Sequence, residues 1–505
     1  MNRRQLGKSA AALALLATGV ASAAEGRFSY SGFARAQAAY SLKHDNPNNT
    51  ALGLPDDQDF NLIKALVVAD LEYNQPFEAG APIDNMRIFT RWRLNKDLTE
   101  AWSGGIGDYN AFPLDYRHEG TLARAESEST AFELWEAFAD FRAGRTSLRL
   151  GRQNIVWGEA DALRLLDIVN PLDLTQHMSF EAGGEQFDHI RIPVWALRAQ
   201  YQFRRFAGYS IDAFVIPGDY VPTALPDRGA PFNQLPFPDN APPTVLPVAP
   251  FLIPGLRVDD NLDDRRGDWE GGVRLLGDIN GFQYTLNYLS KIDQDGVTTL
   301  SGAYPGGFDP STLQVVLANR RKRLDIYGAS FNWFWAQVGG VLRGELSYTP
   351  NQPYAGPLVA IAPGVDLPVT TVERDTVKWV VGFDRPTFVF PTEQTMNISL
   401  QWFQTRREGD SDGITILNGP ADKNETNFSL FLSQPVMNSQ VWFDFLAVVD
   451  TDDAYWWQPQ VRFTPGNHWR VAVYANLFTG SEQRPGRLGS LSWANEFNVS
   501  VTYQF

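Results

Sequence analysis

Arginines recur at even spacings in several stretches of this 505-residue chain, and such rows could bind anions. Arg87, Arg91 and Arg93 alternate with mostly apolar residues, so an extended strand would place all three on one face. A guanidinium group binds a carboxylate through two hydrogen bonds and stays charged at any relevant pH. The same parity argument collects further basic residues, namely Arg149, Arg198, Arg274, Arg343, Lys378, Arg462 and Arg470.

Acidic residues on the same parity are expected to be fewer: Glu270, Glu345, Asp384 and Asp444. The resulting face would be basic, and rows of arginine select for anions or acids. In the alternative interpretation, carboxylates on an inserted segment neutralise these arginines, and Glu159, Asp161 and Asp167 are the candidates.

Other chemistry has little support in the sequence. The five histidines show no metal-ligand spacing, and no G-x-S-x-G nucleophile motif occurs. Acidic runs at 259–264 and 408–413 are read as solvated loops, since the second has Gly419 where a calcium loop needs its last acidic ligand. We therefore expect no enzyme activity, no metal site and no cofactor.

The elements that carry the arginines are strands, because apolar and polar residues alternate with a period of two through most of the chain. The clearest case is the C-terminal segment, in which Phe497, Val499, Val501, Tyr503 and Phe505 alternate with polar residues. Short and long connections also alternate, as expected for periplasmic turns and extracellular loops. The pattern predicts a closed antiparallel transmembrane β-barrel of about 18 strands, with 16 as the alternative count and both termini in the periplasm.

Composition agrees with this fold class. The chain has no Cys, no apolar run near 18 residues, and 13% aromatic residues, which suits the aromatic girdles of an outer-membrane barrel. A net charge of −15 argues against a nucleic-acid partner. Residues 1–24 have the features of a secretory signal peptide, which leaves 25–505 as a single barrel domain. Tyr503 and Phe505 resemble the terminal signal read by the barrel assembly machinery.

One segment breaks the strand pattern. Asp161 is a suitable N-cap and Pro171 a stop, so a short amphipathic helix is predicted between them. We expect it to fold into the barrel and constrict the lumen; a helix on the surface is the alternative. The constriction residues would be Trp157, Glu159, Asp161, Arg164 and Asp167.

Two long loops are apolar for extracellular segments. Residues 217–256 are rich in Pro and include Phe251, Leu252 and Ile253, which could capture apolar solutes. Residues 350–371 include a second apolar group. Contact with lipopolysaccharide tails and inward packing on the barrel mouth are the alternatives.

The run GRQNIVWGEADALRLLDIVNPLDL, residues 151–174, resembles a porin-like proteobacterial outer-membrane β-barrel family catalogued as a domain of unknown function. The similarity covers nearly the whole mature chain. It implies a barrel often encoded beside a periplasmic carrier and an inner-membrane resistance-nodulation-division (RND) transporter, and it assigns no site residues. The leading hypothesis is a passive channel of the Gram-negative outer membrane for small hydrophobic or amphiphilic molecules, with acids among the candidates. The alternative is a docking or scaffold component of a trans-envelope complex with such a transporter.

Overall fold

The computed structural model describes residues 26–43, 59–99, 124–127, 130–160, 163–174, 187–205, 208–218, 220–224, 240–241, 244–245, 252–253, 255–260, 267–362, 365–389, 392, 394–409, 413–416, 419–451, 454–480 and 488–505. The proposed signal peptide lies outside them. No helix in these ranges is long and apolar enough to cross a membrane.

Eighteen antiparallel strands form one closed barrel, which confirms the expected fold and the preferred strand count. In chain order they are β1 Arg27–Ser41, β2 Phe60–Pro76, β3 Asn85–Asp97, β4 Thr130–Ala143, β5 Thr146–Gln153, β6 Val194–Gln202, β7 Ser210–Pro217, β8 Trp269–Ile279, β9 Phe282–Ile292, β10 Arg323–Trp335, β11 Gly340–Ala355, β12 Thr371–Thr387, β13 Met396–Arg407, β14 Asn424–Val436, β15 Val441–Asp450, β16 Ala454–Phe463, β17 Trp469–Thr479 and β18 Glu496–Gln504.

Each strand pairs with its neighbours in the chain, and the ring closes where β18 pairs with β1. The seam runs from Phe33 opposite Gln504 to Ser41 opposite Glu496. Beyond it, Gly32 and Phe505 exchange two backbone hydrogen bonds of 3.1 and 3.0 Å. A closed ring leaves no edge strand, which is what lets a sheet cross a bilayer.

The connections differ at the two ends of the barrel. At one end, which also holds Arg27 and Gln504, all eight connections are short, such as Asn280–Gly281 between β8 and β9. Both of these residues have positive φ, the geometry that a two-residue hairpin turn needs. We call this the short-turn end. The opposite, long-loop end carries long connections, including 154–193, 218–268 and 293–322, with 451–453 as a tight exception.

The two faces of the strands have opposite chemistry. Outward positions are apolar and exposed, as at Leu286, Leu346 and Phe443, which are 46–52% accessible. Inward positions on the same strands are polar and buried, as at Asn287 and Glu345. Since side chains alternate between lipid and lumen, this pattern is that of a membrane-spanning barrel with a polar lumen.

Three consecutive strands are among the shortest in the wall. β5, β6 and β7 have 8, 9 and 8 residues, whereas β11 has 16. After Gln153 the chain leaves the wall, and it rejoins it at Val194. We call residues 154–193 the inserted segment, because its described side chains and backbone amides contact inward-facing residues of β7, β10, β11 and β12.

The predicted helix between Asp161 and Pro171 is wrong for the described residues, since 163–170 have no helical structure; Asp161 itself lies outside the described residues. Side chains take the backbone groups that a helix would pair internally. Arg164 donates to the carbonyls of Asp167 and Asn170. Lys291 donates to the carbonyl of Ile168. The segment's helix in the described part is α1, the four residues Phe187–Ile190.

Candidate functional site: the barrel lumen

Arginines predicted to face inward form three groups of ion pairs on β2 to β8. Arg91 donates to both oxygens of Asp70 at 2.7 and 2.8 Å. Arg149 makes the same two-bond contact with Asp140, at 2.6 and 3.0 Å. Such paired bonds fix both groups, because the planar guanidinium matches the carboxylate.

Three further arginines either bridge two carboxylates or share one. Arg87 bridges Glu72 on β2 and Asp140 on β4, at 2.8 and 3.4 Å. Arg198 and Arg274 both bind Asp212, at 2.7 and 3.0 Å. We call this set the arginine wall; its members are Asp70, Glu72, Arg87, Arg91, Asp140, Arg149, Arg198, Asp212 and Arg274. It holds five arginines against four carboxylates and so carries one excess positive charge.

The expectation that inward carboxylates are few is therefore incorrect. Asp70, Glu72, Asp140 and Asp212 were missed, and all four are inward-facing partners of the arginines. The competing interpretation is also only partly right, because most neutralising groups lie on the barrel strands rather than on the inserted segment. The alternation on β2 contains the signal, since Asp70 and Glu72 occupy the positions between Ala69, Leu71 and Tyr73.

Phenylalanine rings lie among the guanidinium groups of the arginine wall. Phe89 and Phe138 stack with their centroids 5.0 Å apart. The guanidinium carbon of Arg149 is 4.0 Å from the Phe138 centroid, and that of Arg87 is 5.2 Å from the Phe89 centroid. Packing on the rings restricts the positions of these guanidinium groups. Arg87 and Arg149 nevertheless keep 32% and 27% of their side chains accessible.

Arg93 lies nearer the long-loop end and is buried. It binds Glu133 and Asp173 at 2.7 and 3.0 Å, and its guanidinium carbon is 3.5 Å from the ring centroid of Trp135. Asp173 belongs to the inserted segment, so this ion pair holds the segment to the barrel strands. Arg93 is thus a buried anchor and not an accessible part of the lumen surface.

Arg343, Arg462 and Arg470 lie on strands outside the arginine wall. Arg343 binds Asp384 at 2.7 Å and donates to the carbonyl of Glu159 at 2.6 Å. Arg462 binds Asp444, with one contact of 2.9 Å, and stacks over Trp442 at 5.0 Å. Arg470 faces inward on β17 and also has partners.

The inserted segment is fastened across the lumen by one carboxylate. Glu345 on β11 accepts hydrogen bonds from the backbone amides of Glu159, Ala160 and Leu166. It is 4% exposed. β11 lies six strands from β5, where the segment begins, so the segment spans the barrel. Nearby, Leu165 packs on Val380 and Phe403 of β12 and β13.

At its start, the inserted segment packs into an apolar part of the lumen wall. The Trp157 indole is 1% exposed, contacts Phe214 at 5.0 Å between centroids, and donates to Asp212 at 3.1 Å. Gly272 on β8 makes room for it, because a Cβ there would be 2.9 Å from the indole. We call this region the Trp157 pocket; it consists of Val194, Ala196, Phe214, Ile216, Leu289, Leu324 and Ile326, filled by Ile155, Trp157 and Val169.

A further apolar part of the lumen lies on the wall opposite β4 and β5. Phe431 on β14 and Leu446 on β15 are register partners that face inward, and Phe431 is 36% exposed. Their neighbours in the same inward rows are polar, such as Ser433 and Asp444. The accessible lumen thus has a charged side and an apolar side.

Access differs between the two ends. Inward side chains toward the long-loop end are buried, for example Lys64, Glu133 and Asn476 at 0–2% exposure. Toward the short-turn end they are accessible, as at Arg87 and Phe334. The inserted segment occupies part of the first region, and the accessible side chains of the second line a vestibule.

His189 on α1 lies against the strands that carry the arginines. Its ring meets Phe33 at 5.2 Å, and its carbonyl accepts from Arg93. Burial, and after it the nearby charges of Arg91, Arg35, Arg93 and Lys64, lower the pKa of His189 to about 3. The imidazole is therefore neutral throughout the physiological range.

The other predicted residues are placed as follows. Phe251 lies outside the described residues; Leu252 and Ile253 pair with 244–245, and only their backbone is described. Tyr503 and Phe505 lie on the outer face beside the seam, 39% and 43% exposed. Within the described part of the chain, no group of three or more acidic or histidine side chains is arranged to hold a metal.

Comparison with known proteins adds a family. The model of the family described as "Protein of unknown function (DUF1302)" matches residues 6–505. None of the curated proteins matches the sequence.

Several solved porin-type structures align over most of the chain. OpdK of Pseudomonas aeruginosa, solved with vanillate, aligns at 8% identity and a TM-score of 0.44, covering 95% of this chain and 98% of its own. OmpF of Salmonella typhi, solved with daunomycin, aligns at 12% and 0.40, covering 95% and 97%. OmpT of Vibrio cholerae aligns at 8% and 0.41, covering 95% and 100%. The barrel itself is established by the strand pairing of this chain.

Proposed function

Because the chain belongs to the family described as Protein of unknown function (DUF1302) and folds as a porin-like outer-membrane β-barrel, we propose that it is a passive channel for small amphiphilic molecules, including acids. A solute with an apolar body and an acidic group has a partner for each part in the accessible lumen. Passive passage of such a solute requires no catalytic group.

The observation that carries this proposal is the two-sided lumen. Arg87 and Arg149 expose guanidinium groups on one side, and Phe431 and Leu446 present apolar surface on the other. The pairing with carboxylates keeps each arginine site weak, since the guanidinium already has a partner. Several weak sites in series favour passage over retention.

The test is permeation in planar bilayers under bi-ionic conditions. With sodium benzoate facing sodium chloride, the reversal potential gives the permeability of benzoate, an acid with an apolar ring. Sodium gluconate, a hydrophilic acid, serves as the comparison. We expect benzoate to permeate more readily than its mobility in water predicts, and gluconate less readily.

A matched pair of variants assigns the effect to the apolar side. Phe431→Ser should lower the benzoate permeability and leave that of chloride in place, because it removes the exposed ring. Phe428→Ser, on the lipid face of the same strand, should change neither. Equal relative permeabilities of benzoate and gluconate in the parent protein would contradict the proposal.

A second candidate is a docking barrel in a trans-envelope complex, with a periplasmic carrier and an RND transporter as partners. The buried inward side chains toward the long-loop end favour it, because a filled lumen conducts little. The same recordings decide: a barrel that inserts but produces no conductance steps supports docking and excludes the channel.

A further inference from the structure

The Trp157 pocket is unusual for its place in the molecule. A barrel lumen of this width is normally polar, and most inward rows here are polar as well. On β6, β7, β9 and β10, however, inward positions such as Val194, Phe214, Leu289 and Ile326 form one apolar surface. The barrel strands do not cover this surface themselves; side chains of the inserted segment do.

Trp157 occupies the pocket with few specific bonds. The indole makes one hydrogen bond, from its N–H to Asp212 at 3.1 Å. The rest of its contact is apolar packing, against Phe214 and the open face of Gly272. Another apolar body of similar size would make the same contacts.

Two arginines share a carboxylate at the edge of the pocket. Asp212 is the partner of both Arg198 and Arg274, and Glu159 is a second acidic group near Arg274. Arg198 alone supplies two bonds to Asp212, at 2.9 and 2.7 Å. Arg274 contributes a single bond of 3.0 Å, and its guanidinium carbon lies 5.2 Å from the Trp157 ring.

Arg274 also has unused binding capacity. Its Nε is buried and has no hydrogen-bond partner among the described residues. Its Nη1 is 3.5 Å from the Trp157 carbonyl, at the outer limit for a hydrogen bond. A carboxylate placed beside the indole position would meet this guanidinium edge.

We propose that the Trp157 pocket binds an amphiphilic carboxylate whose apolar body is about the size of an indole. The apolar body displaces Trp157 and packs on Phe214 and Ile216, while the carboxylate binds Arg274 and Asp212 keeps Arg198. In the absence of solute, Trp157 fills this binding site. The inference rests on the proposed function in that it names the class of solute and its first fixed position.

The experiment measures binding of 2-naphthoate, whose fused rings match the indole, to the full chain in phospholipid nanodiscs by equilibrium dialysis. Empty nanodiscs give the background from lipid partitioning. The neutral 2-naphthylmethanol and the ring-free acetate separate the apolar and acidic contributions. We expect 2-naphthoate to bind, the alcohol to bind more weakly, and acetate not to bind.

Two variants test the two halves of the site. Trp157→Ala should tighten 2-naphthoate binding by about tenfold, because the ligand no longer competes with the indole. Arg274→Gln should weaken binding by about tenfold and abolish the preference for the acid over the alcohol. Trp157→Phe retains an aromatic ring and should give an intermediate affinity if the alanine variant assembles poorly.

Trp442 and Arg462 provide the matched control, since they form a similar Trp–Arg contact of 5.0 Å on the far side of the lumen. Trp442→Ala and Arg462→Gln should leave 2-naphthoate binding unchanged. Weaker or unaltered binding by Trp157→Ala, or a retained acid preference in Arg274→Gln, would overturn the proposal. The two proposals fail in different ways. If the protein binds 2-naphthoate but conducts no ions, the binding site is supported and the channel function is contradicted.

Discussion

At the scale of single residues, Glu345 is the group on which the position of the inserted segment most depends. Its carboxylate accepts from three backbone amides and is almost completely buried. A buried carboxylate is stable only while its oxygens are hydrogen-bonded, so barrel strand and segment hold each other in place. Hydrogen bonds to a charged group contribute about 1.5–3 kcal/mol, more than bonds between neutral groups.

Glu345→Gln should therefore loosen the segment. The glutamine amide keeps one accepting oxygen, but its NH2 group would face backbone N–H donors of the segment and repel them. Release of the segment should therefore become about tenfold to a hundredfold more frequent. Single-channel recordings would show this as more frequent steps to a higher conductance. Ser347→Ala, at a buried inward position on the same strand, is the control and should record like the parent.

Arg149 tests the charge balance of the arginine wall. With five arginines against four carboxylates, the parent should prefer anions weakly in a KCl gradient. Arg149→Gln leaves Asp140 with Arg87 as its remaining partner, at 3.4 Å, and removes the excess charge. The reversal potential should move toward that of K⁺, and Arg91→Gln should act in the same direction. An unchanged reversal potential in both variants would mean that ions do not pass along this wall.

At the scale of elements, the four-residue helix α1 provides one contact between the inserted segment and the barrel strands. α1 places His189 beside Phe33 and among Arg35, Lys64, Arg91 and Arg93, with the carboxylates of Asp70, Glu133 and Asp173 paired to two of these arginines. The imidazole fits there only without a proton. The segment's attachment is thereby linked to pH.

The linkage has a definite sign. The pKa of His189 is lowered from 6.5 to about 3 in the folded state, so released or unfolded chain takes up a proton first. The seated segment should thus lose stability as pH falls from about 6.5 toward 3, and be unaffected above that range. The frequency of high-conductance steps, recorded from pH 7.5 to 4, should rise on acidification. His189→Gln should flatten the dependence, and His468→Gln, on a short turn, should not.

At the scale of the whole molecule, the barrel exists as a closed ring only once β1 meets β18. The seam joins residues nearly the full chain length apart, and its last bonds link Gly32 to Phe505. The Phe505 ring lies against Gly32, where a Cβ would be 2.8 Å from the ring. Phe505 therefore contributes to closure in addition to its expected part in recognition by the assembly machinery.

Deleting Phe505 or changing it to Ser should impair assembly, because either change removes the terminal aromatic group. The measurement is the amount of protein in the outer membrane and its heat-modifiable mobility on gels. Phe463→Ser is the control, since Phe463 is equally exposed, at 43%, near the same end of the barrel. Normal levels and mobility of the Phe505 variants would show that the terminal residue is dispensable.

Much of this architecture follows from the sequence, because period-two alternation defines both faces of a strand together. The strand count, the turn and loop ends, and the inward direction of Arg87, Arg149 and Arg198 all depend on that pattern. The partners in the ion pairs could not be predicted from that pattern, because Arg87 contacts Asp140 only through the register between β3 and β4. The helix prediction was wrong for a related reason. The segment has an amphipathic pattern, but Glu345 and Lys291 on the barrel strands hydrogen-bond to backbone groups that a helix would pair internally.

The short strands β5 to β7 affect the surrounding bilayer. Eight residues at about 3.3 Å each, tilted by about 40°, span roughly 20 Å, less than the apolar band of about 25 Å on a typical outer-membrane barrel. Longer strands such as β11 exceed that thickness elsewhere in the wall. Lipid beside the short wall is therefore expected to compress, or the barrel to lean toward it, at a modest elastic energy per ångström. Neighbouring molecules would meet a membrane that is thinner on one side of this protein than on the other.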